Sequence, residues 1–476
     1  MQLPEGLVCF VKAECPTCQT VQPVLRQLQY AGLPLTVFTQ DDPGFPAGVR
    51  PVDDTALELS YREKIEIVPT LLRVQGGRAI ERLEGWDRRE WERFTGRDHL
   101  GDGLPDFRPG CGSRTLDPGM PETLSLRYDG SRTRSRRIAL GPSEDEVEAM
   151  YARGWSDGLP LVPPTPRRVL RMLEGTARAP DEVVAVVPPD LAECTVEKVA
   201  INAVMAGCRP EYLPVVLAAL EAACTDEFNI HGVLATTYFV GPVVIVNGPI
   251  ATEIGMNSGV NALGQGNRAN ATIGRALQLV IRNIGGGRPG EIDRATLGNP
   301  GKYTFCFAEA EETSPWEPLA VERGLPAGRS AVTVFAGAGV QPMFDQLART
   351  PEALARSLAS CLRVVGHPKW GLAWNALCVI SPEHGRVFRE AGWSRQRLRA
   401  EIDEPLTFPG AEMVKGAGGM AEGMPESVAG TSVRKFDRDA LLFAHAGGTA
   451  GLFSAIIAGW ISGLAGSQPV TREVHR

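Results

Sequence analysis

Apolar and polar positions run along the chain in blocks whose period switches between strand-like and helix-like, which predicts alternating strands and helices. Leu7 to Val11 is a continuous apolar run and predicts a buried strand. Val21, Val24, Leu25 and Leu28 then recur at helical spacing. Residues 65–74 predict a further strand, with Pro69 near its start. Gln75-Gly76-Gly77 turns the chain into a second strand over 78–83, and this hairpin closes at Gly85-Trp86. From Asp98 to Pro121 the pattern breaks into Gly, Pro and charge, followed by the basic run 131–137. The expected organisation is a first domain over 1–96, a linker and edge segment over 97–142, and a large domain over 143–476.

The large domain reads as helices over 143–153 and 166–173, a buried strand over 183–187, and helices over 195–205 and 210–223. Strands are expected at 231–238 and 242–246, and a helix over 271–283. A strand at 330–335 leads to a turn at Gly337-Ala338-Gly339. A helix over 351–365, a strand at 376–380, a helix over 394–401, a strand at 439–444 and a last helical run follow. Helix 211–223, strand 242–246 and Asn247-Gly248-Pro249 echo helix 352–365, strand 376–380 and Ser381-Pro382-Glu383. The fold class is therefore α/β, the larger part an internal pseudo-duplication with its site between the halves.

Composition narrows the function class. A chain of 476 residues with 43% apolar and 22% charged positions is ordinary for a globular protein of two or three domains. A net charge of −7 argues against nucleic acid or an anionic membrane as partner. The first residues show neither a basic segment nor a long apolar run, so no signal peptide is expected. The apolar run 452–464 is too short and glycine-interrupted for a membrane span. Ten cysteines, mostly within apolar runs, suit a reducing cytoplasm. Segments 210–224 and 452–464 serve equally as core or as a dimer face, which leaves a homo-oligomer open.

The sharpest chemistry is Cys15-Pro16-Thr17-Cys18, between the first strand and the first helix. Cys15 falls at the helix N-terminus, where free backbone N–H groups and the dipole favour a thiolate. Cys18, one turn on, is positioned to resolve a mixed disulfide. Pro16 sits in the first turn, where its missing N–H costs nothing. The competing reading is half of a zinc site, which needs a second Cys pair or two His nearby. Cys9 is close, but the next cysteine is Cys111 and the first His is His99.

Strand–Cys15-x-x-Cys18–helix, Val68-Pro69-Thr70 and the hairpin ending at Gly85-Trp86 together resemble the thioredoxin family, over about residues 1–96. The resemblance implies a redox-active Cys15–Cys18 disulfide. It makes Cys15 the attacking thiolate, Cys18 the resolving thiol, and Pro69 a cis-proline platform for substrate. Three positions depart from the family pattern. Glu14 stands where a Trp is usual, Pro16-Thr17 is the intervening pair, and Cys9 replaces the buried acid that serves the resolving thiol. These departures point to a dedicated partner and to an upward push on Cys15 from Glu14.

In the large domain, Asn257, Asn261, Asn267 and Asn270 with Arg268 and Arg275 form a Gly/Asn-rich passage running into a helix. It reads as a seat for a phosphate or carboxylate, or as a structural loop of left-handed turns. Cys306, a candidate redox or nucleophilic thiol or else a buried packing residue, lies on a strand-like segment before Glu309 and Glu311, a carboxylate pair suited to acid–base work. His231 and His445 are the candidate general acids or bases, and no His pair has metal-ligand spacing. Cys111 is either incidental or a relay thiol between the domains.

These features predict a thiol–disulfide module fused to a catalytic α/β domain acting on a small polar or anionic substrate, re-reduced by a cellular thiol system. The alternative is a non-redox lyase, hydrolase or ligand-binding protein whose first domain senses thiols or docks a partner.

Overall fold

The computed structural model describes residues 3–128, 133–141, 143–437, 439–461 and 466–475. They fall into two units, Met1–Ser131 and Arg132–Arg476, each built of helices and sheet, so the chain is α/β.

In the first unit the apolar run becomes β1 (Gly6–Val11), and the Cys-x-x-Cys opens α1 (Pro16–Tyr30). β2 (Leu35–Thr39), β3 (Pro51–Asp53), β4 (Ile67–Val68), β5 (Thr70–Gln75) and β6 (Arg78–Glu84) follow. The main sheet has the order β3-β2-β1-β5-β6. β1, β2 and β3 run parallel, while β5 and β6 add antiparallel. β1 is the centre, with Val8 to Val11 wholly buried. α1 buries Val21, Val24, Leu25 and Leu28, each worth about 1.5–3 kcal/mol of apolar transfer.

The expected linker begins differently. β7 (Trp86–Asp87) pairs with β8 (Phe107–Arg108), and β9 (Cys111–Gly112) pairs antiparallel with β4. The helix Met120–Tyr128 closes the unit, the Tyr128 hydroxyl donating to Ala56 O. Residues 107–128 thus belong to the first unit. Gly and Pro there mark close packing rather than a tether: a Cβ on Gly110 would fall 2.2 Å from Ile67 Cγ2.

In the second unit the helices Glu146–Ala152 and Pro166–Leu173 precede a small pair, β10 (Val183–Val187) and β11 (Ala192–Thr195). Its main sheet holds β12 (Gly241–Asn247), β13 (Cys306–Ala308), β14 (Ala331–Phe344) and β15 (Trp374–Ile380). A second small pair, β16 (Thr407–Pro409) and β17 (Ser432–Arg434), precedes β18 (Leu441–His445), β19 (Phe453–Ile461) and β20 (Val470–Glu473). The order is β13-β12-β14-β19-β15-β18, with β20 beside β14. β12–β13 and β15–β18 are parallel pairs, joined through antiparallel β14 and β19.

Alternation along these strands splits their side chains between faces. Val244, Val246, Val332 and Val334 pack in one core with the helices Val196–Ala206, Leu213–Ala223 and Arg268–Asn283. Ala376, Cys378, Leu441 and Phe443 do the same with the helices Pro351–Leu362, Pro382–Glu390 and Arg395–Asp403. Val243, Ile245, Phe307, Leu377, Val379 and Leu442 form a third core, in which both ends of the sheet meet. The sheet is curled enough for Ala310 N to donate to His445 O at 2.7 Å.

Three expected elements differ. Residues 231–238 hold the helix Ile230–Ala235, not a strand, started by Asn229 accepting from Gly232 N. Gly337-Ala338-Gly339 lies inside β14: a Cβ on Gly337 would meet Val243 and Ile457 at 2.7 and 2.8 Å, so the glycine permits a crossing rather than a turn. Within the last apolar run, residues 453–461 are β19, not a helix, and residues 462–464 lie outside the described residues. Both faces of β19 are covered, which erases the periodicity that separates the two states.

Candidate thiol site

Asp41 shapes the approach to the first cysteine. Its carboxylate accepts from Ala13 N at 2.7 Å and Glu14 N at 3.0 Å, fixing the turn between β1 and α1. Cys15 is the N-cap of α1, with extended backbone, and its Sγ accepts from Cys18 N at 3.3 Å. Val68 O lies 3.5 Å from the same sulfur, and the Val68–Pro69 bond beyond it is cis. The side-chain hydrogen bond from Cys18 leads the groups that pull the Cys15 thiol down to about 5; burial opposes it, and Cys111 and the backbone N–H groups of the first turn assist. Glu14 is exposed, and the upward push expected from it does not prevail.

Cys18 is completely buried. Burial, then the neighbouring Cys15, drive its thiol far above the ordinary range. Cys9, at the position of the missing acid, is equally buried and pushed up by desolvation, so it supplies no base. All ten cysteines are free thiols, Cys15 and Cys18 included.

Cys111, which lies in a linker-like stretch of sequence, sits against Cys15. Its Sγ lies 2.7 Å from Cys15 Sγ, delivered by the antiparallel pairing of Cys111 with Val68. The segment carrying it is strapped across the start of α1. Thr17 Oγ1 donates to Pro109 O at 2.7 Å, and Arg108 Nη1 donates to Pro16 O and Thr20 Oγ1. Beyond β9, Ser113 Oγ and Arg114 N both engage the buried amide of Gln40. Under this strap Cys15 has no exposed surface, while Cys111 is half-buried.

In the second unit the proposed anion seat is occupied by its own contacts. Arg275 makes a two-pronged ion pair with Asp157 at 2.8 Å, and Arg268 Nε donates to Gly207 O. Asn267 caps the following helix through Asn270 N. Asn257 bonds Gly259 N and Val260 O, and Asn261, with φ of 59°, donates to Gln265 O. Asn270 ties Asn257 and Ala262 together. These amides build a loop of local turns, the structural alternative.

Cys306 is buried in β13 against the helix Arg268–Asn283, where desolvation pushes its thiol up; it is a packing residue. His231 is exposed on a short helix. His445 is fully buried, burial and then Arg389 lower it to about 4, and neither ring nitrogen has a partner among the described residues. Beside it, Glu309 accepts from Asn247 Nδ2, Leu319 N, Arg395 Nη2 and His445 N. Glu311 shares Asn247 Nδ2 at 2.8 Å, so an amide bridges the expected carboxylate pair. Among the described residues no group of three or more His, Cys, Asp or Glu is arranged to hold a metal ion. None of their helices is long and apolar enough to cross a membrane.

Compared with known proteins, the chain matches no family model, no curated protein and no solved structure.

Proposed function

We propose that the first unit is a thioredoxin-like thiol–disulfide module in which Cys15 attacks a disulfide or oxidised sulfur. Re-reduction would come from a cellular thiol system, and the large α/β unit would act on a small polar or anionic substrate. The observation that carries this reading is Cys15 itself: an N-cap thiol held by Cys18, pulled down to about 5 and facing the residue before Pro69. Such a thiol is ionised at neutral pH and nucleophilic there. The reading also takes the large unit as a pseudo-duplication. Its support is that β12 and β15 both lie parallel to an outer neighbour, and that each runs into a helix opening on Pro, at Pro249 and Pro382.

The test is the pH dependence of alkylation at Cys15, read by mass spectrometry of the Cys15 peptide. A rate rising to a plateau with its midpoint near pH 5 supports the module. A midpoint at the ordinary thiol value removes it.

A second reading has its own observation. Asn247, Glu309, Arg395 and His445 gather where the C-terminal ends of β12, β13 and β18 come together, and neither ring nitrogen of His445 has a partner among the described residues. A lyase or hydrolase centred there would retain turnover in a Cys15→Ser protein, whereas the redox reading requires its loss.

A further inference from the structure

Two thiols neighbour Cys15, and they differ in what surrounds them. Cys18 is enclosed in the apolar core of the first unit, with Cys9 in the place where a base would serve it. Cys111 is half-buried, with its sulfur 2.7 Å from Cys15 Sγ. The two sulfurs are in hydrogen-bond contact, and a bond needs them to close to about 2.05 Å. The backbone imposes this contact. Val68 pairs with Cys111, Ile67 with Gly112, and Ser113 N donates to Glu66 O at 2.8 Å. Gly110 and Gly85 let the strap pass this close, since a Cβ on Gly85 would fall 3.0 Å from Gly110 N.

We propose that Cys111, carried on the 107–113 strap, is the thiol that resolves intermediates formed at Cys15. This rests on Cys15 being the attacking thiolate. Cys15 attacks a small disulfide, its sulfur bonds to one half, and the other half leaves as a thiolate that takes a proton from water. Cys111, having given its proton to water, then attacks Cys15 Sγ. The Cys15–substrate bond breaks, the second half leaves as a thiolate that takes a proton from water, and a Cys15–Cys111 disulfide remains. Two cysteine thiols are oxidised and one disulfide substrate is reduced; a dithiol reductant restores the pair. Cys18 serves as hydrogen-bond donor to the Cys15 thiolate, a positioning role that its burial suits.

The experiment uses the full chain and an aromatic disulfide that releases a coloured thiol. Non-reducing peptide maps then locate every adduct and crosslink. In the Cys18→Ser protein, two coloured thiols per Cys15 and a Cys15–Cys111 linked peptide are expected. In Cys18→Ser/Cys111→Ser, release stops at one and the aromatic group stays on Cys15, with the second release slowed by about a hundredfold or more. The unsubstituted protein, which needs no folding control, gives a Cys15–Cys111 peptide in excess of Cys15–Cys18. Persistence of the adduct in Cys18→Ser, or a Cys15–Cys18 peptide alone in the unsubstituted protein, overturns the role of Cys111 and leaves Cys15 as the nucleophile. Absence of any adduct or crosslink at Cys15 in every protein overturns both.

Discussion

Val68 and Cys111 face each other across a two-residue antiparallel pair, and this backbone register sets the Cys111 sulfur against Cys15. The thiol site is therefore made by three separated stretches: the N-terminus of α1, the chain before Pro69, and a strap from beyond the first sheet. Cys15 is closed to water as a result, so whatever reacts with it must be small or must displace the strap.

Gly110→Ala tests that closure. The added Cβ meets Ile67 Cγ2 at 2.2 Å and Val68 O at 3.1 Å, so the strap or the Ile67 side chain must move. The cost is about 1–3 kcal/mol of overpacking, most of it opposing the β4–β9 pair. Alkylation of Cys15 is expected to quicken at neutral pH, by about tenfold for each 1.4 kcal/mol of favoured opening. Cys15–Cys111 crosslinking is expected to slow. Quench-flow alkylation with peptide mapping reads both. An unchanged rate means the strap does not gate the thiol.

The lowered Cys15 thiol also ties folding to pH. Its folded value of about 5 lies below the ordinary 9.0, so the unfolded chain holds the proton over that interval and the folded chain does not. Stability from this group is fully present above pH 9 and is lost as pH falls towards 5. Cys15→Ser removes it. The difference between the two proteins in denaturant midpoint is expected to shrink steadily from pH 9 to pH 5. A constant difference contradicts a depressed thiol.

Much of this was readable in the residues. Val21, Val24, Leu25 and Leu28 give the buried stripe of α1, and Cys15 takes the N-cap as its helix-start position implied. The apolar runs at 242–246 and 376–380 become the strands Gly241–Asn247 and Trp374–Ile380. What escaped is non-local. Cys111 looks like a linker residue because its partner strand is two residues long and lies far back in the chain. Glu309 read as half of an acid–base pair, yet its role depends on Arg395 and His445, which only the curl of the sheet brings near. The Asn-rich passage carries the same residue types whether it holds a ligand or its own turns, and hydrogen-bond partners alone separate the two.

Arg275 discriminates between these two readings of that loop. Its side chain and that of Asp157 are 14% and 11% exposed, and breaking so enclosed a pair costs about 3–5 kcal/mol. Arg275→Met is expected to lower the unfolding free energy of the second unit by that amount and to leave phosphate binding, followed by calorimetry, unchanged. Loss of phosphate binding at unaltered stability restores the anion seat.

His445 gives the second unit its own acid sensitivity, and its sign can be worked out. Buried between Arg389, Arg395 and the Gly385 backbone, the ring is held neutral to about pH 4, against an ordinary 6.5. Between those values the unfolded chain binds a proton that the folded chain refuses. Stability is therefore unaffected above about pH 6.5, falls as pH drops below it, and levels off below about 4. The full loss is about 3 kcal/mol. His384, also lowered by burial, adds a loss of the same sign, and Glu309, raised by burial, opposes it. The contribution of His445 is therefore read as a difference against His445→Gln, which keeps a polar side chain and cannot titrate. The variant is expected to lose about 3 kcal/mol less than the unsubstituted protein between pH 7 and pH 4, measured by denaturant unfolding at each pH. Parallel losses in the two proteins mean that folding does not shift His445, which contradicts a ring held neutral by burial.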